Sequence, residues 1–148
     1  SLVARNTLSK GVEVLVEALG LLKKNGRKVF GLIVGGPNEG VLKKHAHHVG
    51  LDDHDIFFTG RLPSHQVPTA LRACTVCVYP APRSSDPFFV RDTSPLKLFE
   101  YLASDIPTVC ADIPPVRDIV DESCVTFFTP GDAESLTRAL LHVLDHPN

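Results

Sequence analysis

Two carboxylates, Asp92 and Glu100, stand eight residues apart in Arg91-Asp92-Thr93-Ser94-Pro95-Leu96-Lys97-Leu98-Phe99-Glu100-Tyr101-Leu102. Ser94-Pro95 between them is a helix-start signal, a hydroxyl to cap the first turn followed by a proline where no amide bond is needed. From that start Leu98, Tyr101 and Leu102 share one apolar stripe, with Glu100 about 80° away at its edge. One acid therefore precedes a helix N-terminus and the other lies two turns inside it. The free amides and positive dipole end between them suit a phosphate, while the acids suit sugar hydroxyls. Two cations belong to the same argument. Arg5 and Lys10 leave the opening segment together, with Ser9 expected as the cap of the first long helix and Lys10 at its opening. A lysine is unusual there, because the helix dipole favours acids, and a tolerated surface lysine is the bland alternative. Two cations and a ring of amides facing one cleft neutralise a diphosphate without a metal.

Such a site needs strands that end beside it, and the chain supplies an alternating series. Leu2 to Ala4 begins a strand. Val12, Leu15, Val16, Leu19 and Leu22 then recur at helical spacing until Asn25-Gly26. Val29 to Val34 reads as a strand buried on both faces, ending at Gly35-Gly36-Pro37. A helix is expected from about Asn38 to Val49, then a strand Ile56 to Thr59 stopped by Gly60. Pro63 to Ala73 reads as helix with a kink or break at Pro68. Thr75 to Tyr79 is a strand, Pro80 to Thr93 a loop, and Pro95 opens the helix carrying Glu100. Strand Thr108 to Ala111, a short helix near Pro115 to Val120, strand Cys124 to Phe128 and a helix from Asp132 to about Leu144 complete the series. The expected fold is α/β, a Rossmann-like, doubly wound, mostly parallel sheet of six strands. Ligands on such sheets bind beyond the carboxyl ends of the strands.

With 148 residues the chain suits one domain, residues 1–148. Its hydrophobic content of 43% contains no long apolar run, so neither a membrane span nor a signal peptide is expected. A net charge of −2 gives no electrostatic case for nucleic acid, and Lys23-Lys24 and Lys43-Lys44 read as solvated helix faces. Four cysteines without a spaced framework suit the cytosol. The chain opens without an initiator methionine, directly on a strand pattern, as expected of a piece cut from a longer protein.

Several weaker signals carry bland readings. Cys74-Thr75-Val76-Cys77 has redox or zinc spacing, but it falls at the entry to a buried strand, where cysteine packs as a small hydrophobe. His45, His47 and His48 form a helical cluster with no acid or cysteine to complete a ligand set, so no metal is expected. Asp53-His54-Asp55 mimics a metal motif but precedes a strand. Gly35 to Gly40 has Walker spacing, yet Val41-Leu42 stands where Lys and Ser/Thr are required. No Gly-x-Gly-x-x-Gly follows a strand, against a nicotinamide dehydrogenase.

Taken together, the motifs resemble the C-terminal, donor-binding half of a GT-B-fold retaining glycosyltransferase of the group 1 family. Arg5 to Lys10-Gly11 is similar to the family's Gly-Arg-Leu…Lys-Gly opening. Leu32-Ile33-Val34-Gly35-Gly36-Pro37 resembles its second strand and glycine turn. Phe58-Thr59-Gly60-Arg61-Leu62 resembles its Phe-x-Gly-x-Val segment, and Val76-Cys77-Val78-Tyr79-Pro80 the strand before the active loop. Ser94 to Ser104 through Ile106-Pro107-Thr108-Val109 is the most specific match.

The resemblance implies a domain of an enzyme that moves a hexose from a nucleotide-diphosphate sugar to a sugar, lipid or glycan acceptor, without a cofactor. Arg5 and Lys10 would bind the diphosphate and stabilise the leaving group. Backbone near Arg61 and Leu62 would meet the base. Glu100 would bond the ribose as the second acid of a Glu-x7-Glu motif, and Asp92 would take the first, sugar-facing position as the third catalytic residue. Thr93, Ser94, Leu96 and Lys97 would surround the phosphates. Aspartate is one methylene shorter than the usual glutamate, Ala4 replaces a glycine, and Pro95 removes one amide, so the donor-sugar end is modified. The acceptor would sit on an N-terminal domain that this chain lacks, and the fragment would bind donor weakly and transfer little. The implied location is cytoplasmic, with a membrane-surface acceptor met through the missing domain. A GT-B epimerase and a non-catalytic nucleotide-sugar-binding or interaction module are the rivals.

Overall fold

The computed structural model describes residues 2–5, 11–35, 39–81 and 96–146; of 2–5 and 96–97 it describes the backbone alone. β1 (Leu2–Arg5), α1 (Val12–Lys24), β2 (Gly31–Val34), α2 (Glu39–His48) and β3 (Ile56–Gly60) form the first half. A 3₁₀ turn (Ser64–Gln66) runs into α3 (Val67–Arg72). β4 (Val76–Tyr79), α4 (Leu96–Ala103), β5 (Thr108–Ala111), α5 (Pro114–Arg117), β6 (Thr126–Phe128) and α6 (Ala133–Asp145) follow.

The described strands join in one sheet of six in the order β3-β2-β1-β4-β5-β6. Every neighbouring pair is parallel. The chain therefore winds outward from β1 in one direction, then returns and winds the other way from β4. Right-handed crossovers put α1 and α2 on one face and α4 and α5 on the other, and α6, which follows the last strand, returns to pack on α1. A sheet covered on both sides demands apolar residues at successive positions, and β4 and β5 are buried throughout.

α1 is the central helix of its layer. Val12, Leu15, Val16, Leu19 and Leu22 have no exposed surface. The helix packs against α2 and α6, which adds Leu136 and Leu140 to the core. Burying each such leucine stabilises by roughly 1.5–3 kcal/mol. The far end of α1 is tied down by polar contacts. Lys23 Nζ donates to Asp55 Oδ2 at 2.6 Å and to the Gly50 carbonyl at 3.0 Å. α6 has a capped start, with the Asp132 carboxylate accepting from the Ser135 amide at 3.0 Å.

Three expectations are corrected or sharpened. Ser9 is not the cap of the first helix: Gly11 is, at φ +91° without a side-chain cap bond, and the helix starts at Val12. That left-handed conformation cannot continue a helix backward, so the helix cannot open earlier. The segment from Pro63 breaks into two, with Pro68 in the first turn of α3, where its missing amide costs nothing. The second strand begins at Gly31 rather than Val29.

At the other half, Arg117 gathers the end of the sheet. Its guanidinium donates to both Asp112 oxygens, at 2.7 and 3.0 Å, pairs with Glu122, and lies 3.7 Å from the Phe127 ring centre. Arginine suits this place because one planar group serves a carboxylate fork and an aromatic face together. The hydrogen bond from Arg117 holds the Asp112 carboxyl below its ordinary 3.8, and Lys23 does the same for Asp55. A depressed carboxyl contributes stability that is present above the unfolded value and lost as pH falls through the folded one. The unfolding midpoint is therefore expected to drop on acidification below about pH 4, and less steeply in Asp112→Asn, measured by denaturant titration across pH.

Candidate functional site

Parallel pairing puts the carboxyl ends of all described strands on one rim, in the spatial order Gly60, Val34, Arg5, Tyr79, Ala111, Phe128. The winding reverses between β1 and β4, the switch point beside which sheets of this kind bind ligands. Gly11 lies there. A Cβ on Gly11 would fall 2.7 to 2.8 Å from the backbone of Ala81, two residues past β4. The start of α1 is thus pressed against the exit of β4, a contact only glycine permits. α4 runs from β4 toward β5, so its first residue, Leu96, is also at the carboxyl side. Both helices therefore begin on the carboxyl side of the sheet.

α4 sits as the stripe predicts. Leu98 is fully buried, Tyr101 is 1% exposed and Leu102 is partly buried. Anchoring that face turns Glu100 outward, and it is exposed. On the other side of the rim, the Gly60 carbonyl accepts from the Gly35 amide and from Thr59 Oγ1, both at 2.8 Å. The bond from Gly35 locks the exits of β2 and β3 together, and Gly60 turns there at φ +69°. Arg61 follows, exposed, and Leu62 is half-buried against the core.

The structure thus brings the backbone of Arg5, the start of α1, Arg61, Leu62, Leu96, Lys97 and Glu100 to the carboxyl side of one sheet. Lys10, Asp92, Thr93, Ser94 and the side chains of Arg5, Leu96 and Lys97 lie outside the described residues.

One rim residue had no signal in the sequence. Glu39 opens α2, and its Oε2 stands 4.0 Å from where a Cβ on Gly60 would be. Its Oε1 accepts from Lys43 Nζ at 2.9 Å, and Lys43 in turn lies 5.9 Å from the Phe58 ring centre. Only the tertiary pairing of β2 with β3 creates this approach.

Other chemistry-bearing groups have structural work. Burial pushes the thiols of Cys74, Cys77 and Cys110 up to about 11, 12 and 12, which suppresses thiolate chemistry at neutral pH. Cys74 Sγ donates to the Ala70 carbonyl at 3.0 Å. His45 is half-buried where His47 and His48 are exposed, and it bonds Glu17 across α1 and α2 at 3.1 Å. Among the described residues no group of three or more His, Cys, Asp or Glu side chains is placed to hold a metal ion. A groove of about 700 Å³ beside Lys23, Arg27, Lys28 and His54 lies at the amino ends of the strands, opposite the candidate site. No described helix is long and apolar enough to cross a membrane.

A doubly wound parallel sheet with a glycine-started helix at its switch point defines a Rossmann-like domain. Residues 2–148 match the family described as glycosyl transferases group 1, and the chain belongs to it. TuaC of Bacillus subtilis (strain 168), named as a glycosyltransferase of teichuronic acid biosynthesis, is 27% identical over 138 residues. That alignment covers 93% of this chain and 31% of TuaC. Among solved structures, Anabaena HepE in complex with UDP-glucose superposes with a TM-score of 0.74 at 18% identity, over 97% of this chain and 39% of that one. A mutant of S. aureus TarM in complex with UDP gives 0.75 at 19% identity, over 98% and 28%. The chain is thus similar to the GT-B glycosyltransferases in fold, and spans about a third of its curated relative's length.

Proposed function

We propose that this domain binds the donor of a retaining glycosyltransferase, a nucleotide-diphosphate sugar whose hexose passes to a sugar, lipid or glycan acceptor. The observation that carries the reading is the β1–β4 reversal, where α1 starts at an uncapped glycine against Ala81 and α4 starts on the same side of the sheet. Amides at two helix ends suit a diphosphate, and Arg5 and Lys10 lie just before the first of them in sequence. UDP and UDP-glucose in the similar structures support a nucleotide-sugar donor.

In this reading Arg5 and Lys10 hold the diphosphate, Thr93, Ser94, Leu96 and Lys97 close around it, and backbone at Arg61 and Leu62 meets the base. Glu100 bonds the ribose hydroxyls, which its outward position on α4 allows. Asp92 faces the transferred sugar. As the sugar–phosphate bond breaks, negative charge grows on the leaving diphosphate, and donors fixed in advance lower the barrier without reorganising. No cofactor or metal takes part. The acceptor sits on a partner domain outside this chain, with membrane-surface acceptors included, and the enzyme works in the cytoplasm. The domain alone transfers little.

Calorimetric titration of the full chain with UDP, GDP and ADP tests this. Saturable binding of at least one is expected, and no binding at millimolar nucleotide would contradict it.

A further inference from the structure

We infer that Glu39 selects the base of the donor and that the base is guanine. The inference rests on the donor-binding reading above, which leaves the base open. Glu39 stands at the β3 side of the rim, beside Gly60 and next to the Arg61–Leu62 backbone assigned to the base. β2 separates that position from β1 and the switch point where the diphosphate belongs. A carboxylate facing phosphate would repel it; one facing a neutral base can only accept hydrogen bonds.

The side chain is held for this. Lys43, one helical turn on, takes Oε1 at 2.9 Å, while Oε2 faces Gly60. Lys43 is itself placed over Phe58 of β3, so the pair is braced between α2 and the strand. Gly60, lacking a side chain, leaves the carboxylate's approach to the β3 exit open.

An acceptor-only group discriminates among bases by their donors. Guanine presents a ring N–H and an adjacent amino group, two neighbouring donors that match a carboxylate. Uracil presents one ring N–H flanked by two carbonyl oxygens, which the carboxylate repels. Adenine and cytosine place a ring acceptor beside their amino group. Hypoxanthine keeps the guanine ring N–H and loses only the amino group, so it isolates the second contact.

The test is calorimetric titration of the full chain with GDP, IDP and UDP, in wild type, Glu39→Ala and Glu39→Gln. GDP is expected to bind about tenfold tighter than UDP, with IDP between them, and Glu39→Ala is expected to bring all three within about twofold. UDP binding should not weaken in either variant, since the carboxylate only repels the uracil carbonyls, and that retained binding shows that the fold and the diphosphate site are intact. A wild type that prefers UDP, or a GDP preference that survives Glu39→Ala, overturns the assignment and leaves the donor-binding reading standing. Absence of binding by every nucleotide overturns both.

Discussion

Alanine at Gly11 is expected to destabilise the domain by about 3 kcal/mol and to weaken nucleotide binding beyond what the lost stability explains. Two costs add. At φ +91° a Cβ meets the following carbonyl, costing about 1–2 kcal/mol. The same Cβ would lie 2.7 Å from the Ala81 carbonyl carbon, and backbone on both sides leaves no flexible end to yield. Overpacking of that kind costs about 1–3 kcal/mol. The natural comparison is Gly26→Ala. Gly26 has φ +81°, but nothing lies within 4 Å of its Cβ position, so it should show the conformational cost alone. For a chain of this size the Gly11 variant should melt about 6–12 °C lower, read by circular dichroism. A difference between the two variants under about 1 kcal/mol would mean the α1–β4 contact is slack.

Lys10→Ala carries the largest effect on function. If its ammonium meets the diphosphate, its loss removes a charge-assisted bond worth roughly 1.5–3 kcal/mol in binding. A donor that strengthens as the leaving group gains charge is worth more in the transition state, about 2.7–4 kcal/mol, or on the order of 10²–10³ in turnover. Turnover by the enzyme containing this domain should therefore fall further than nucleotide affinity does, and Lys10→Arg should recover part of each. Steady-state kinetics beside calorimetry separates the two. Equal losses in both would make Lys10 a binding residue only.

The sheet was legible because its strands are short apolar runs between punctuating residues. Thr108 to Ala111 is read from sequence to the residue, since Pro107 and Asp112 bound a run buried on both faces. α1 is read nearly as well, because its stripe of Val12 to Leu22 has helical period and Asn25-Gly26 ends it. Its start misleads: Ser9 is a good cap by type, yet Gly11's left-handed turn against Ala81 decides the boundary, and that pressure comes from a strand distant in sequence. The same holds for the Arg117 cluster and for Glu39 beside Gly60. Each is made by strand pairing that no local pattern encodes. For the site, Glu100 was placed by the stripe formed with Leu98 and Tyr101, whereas Arg61 and Leu62 were legible only through motif likeness.

The central claim is that the carboxyl rim at the β1–β4 reversal holds a nucleotide diphosphate. Backbone amide shifts during titration with GDP or UDP test it most directly. The largest changes should fall at Gly11 to Glu13, Gly60 to Leu62, and Leu96 to Glu100, while Gly26, His54 and Ile106 at the opposite end stay still. Changes centred on the Lys23–Lys28 end of the molecule, with the start of α1 unmoved, would contradict it.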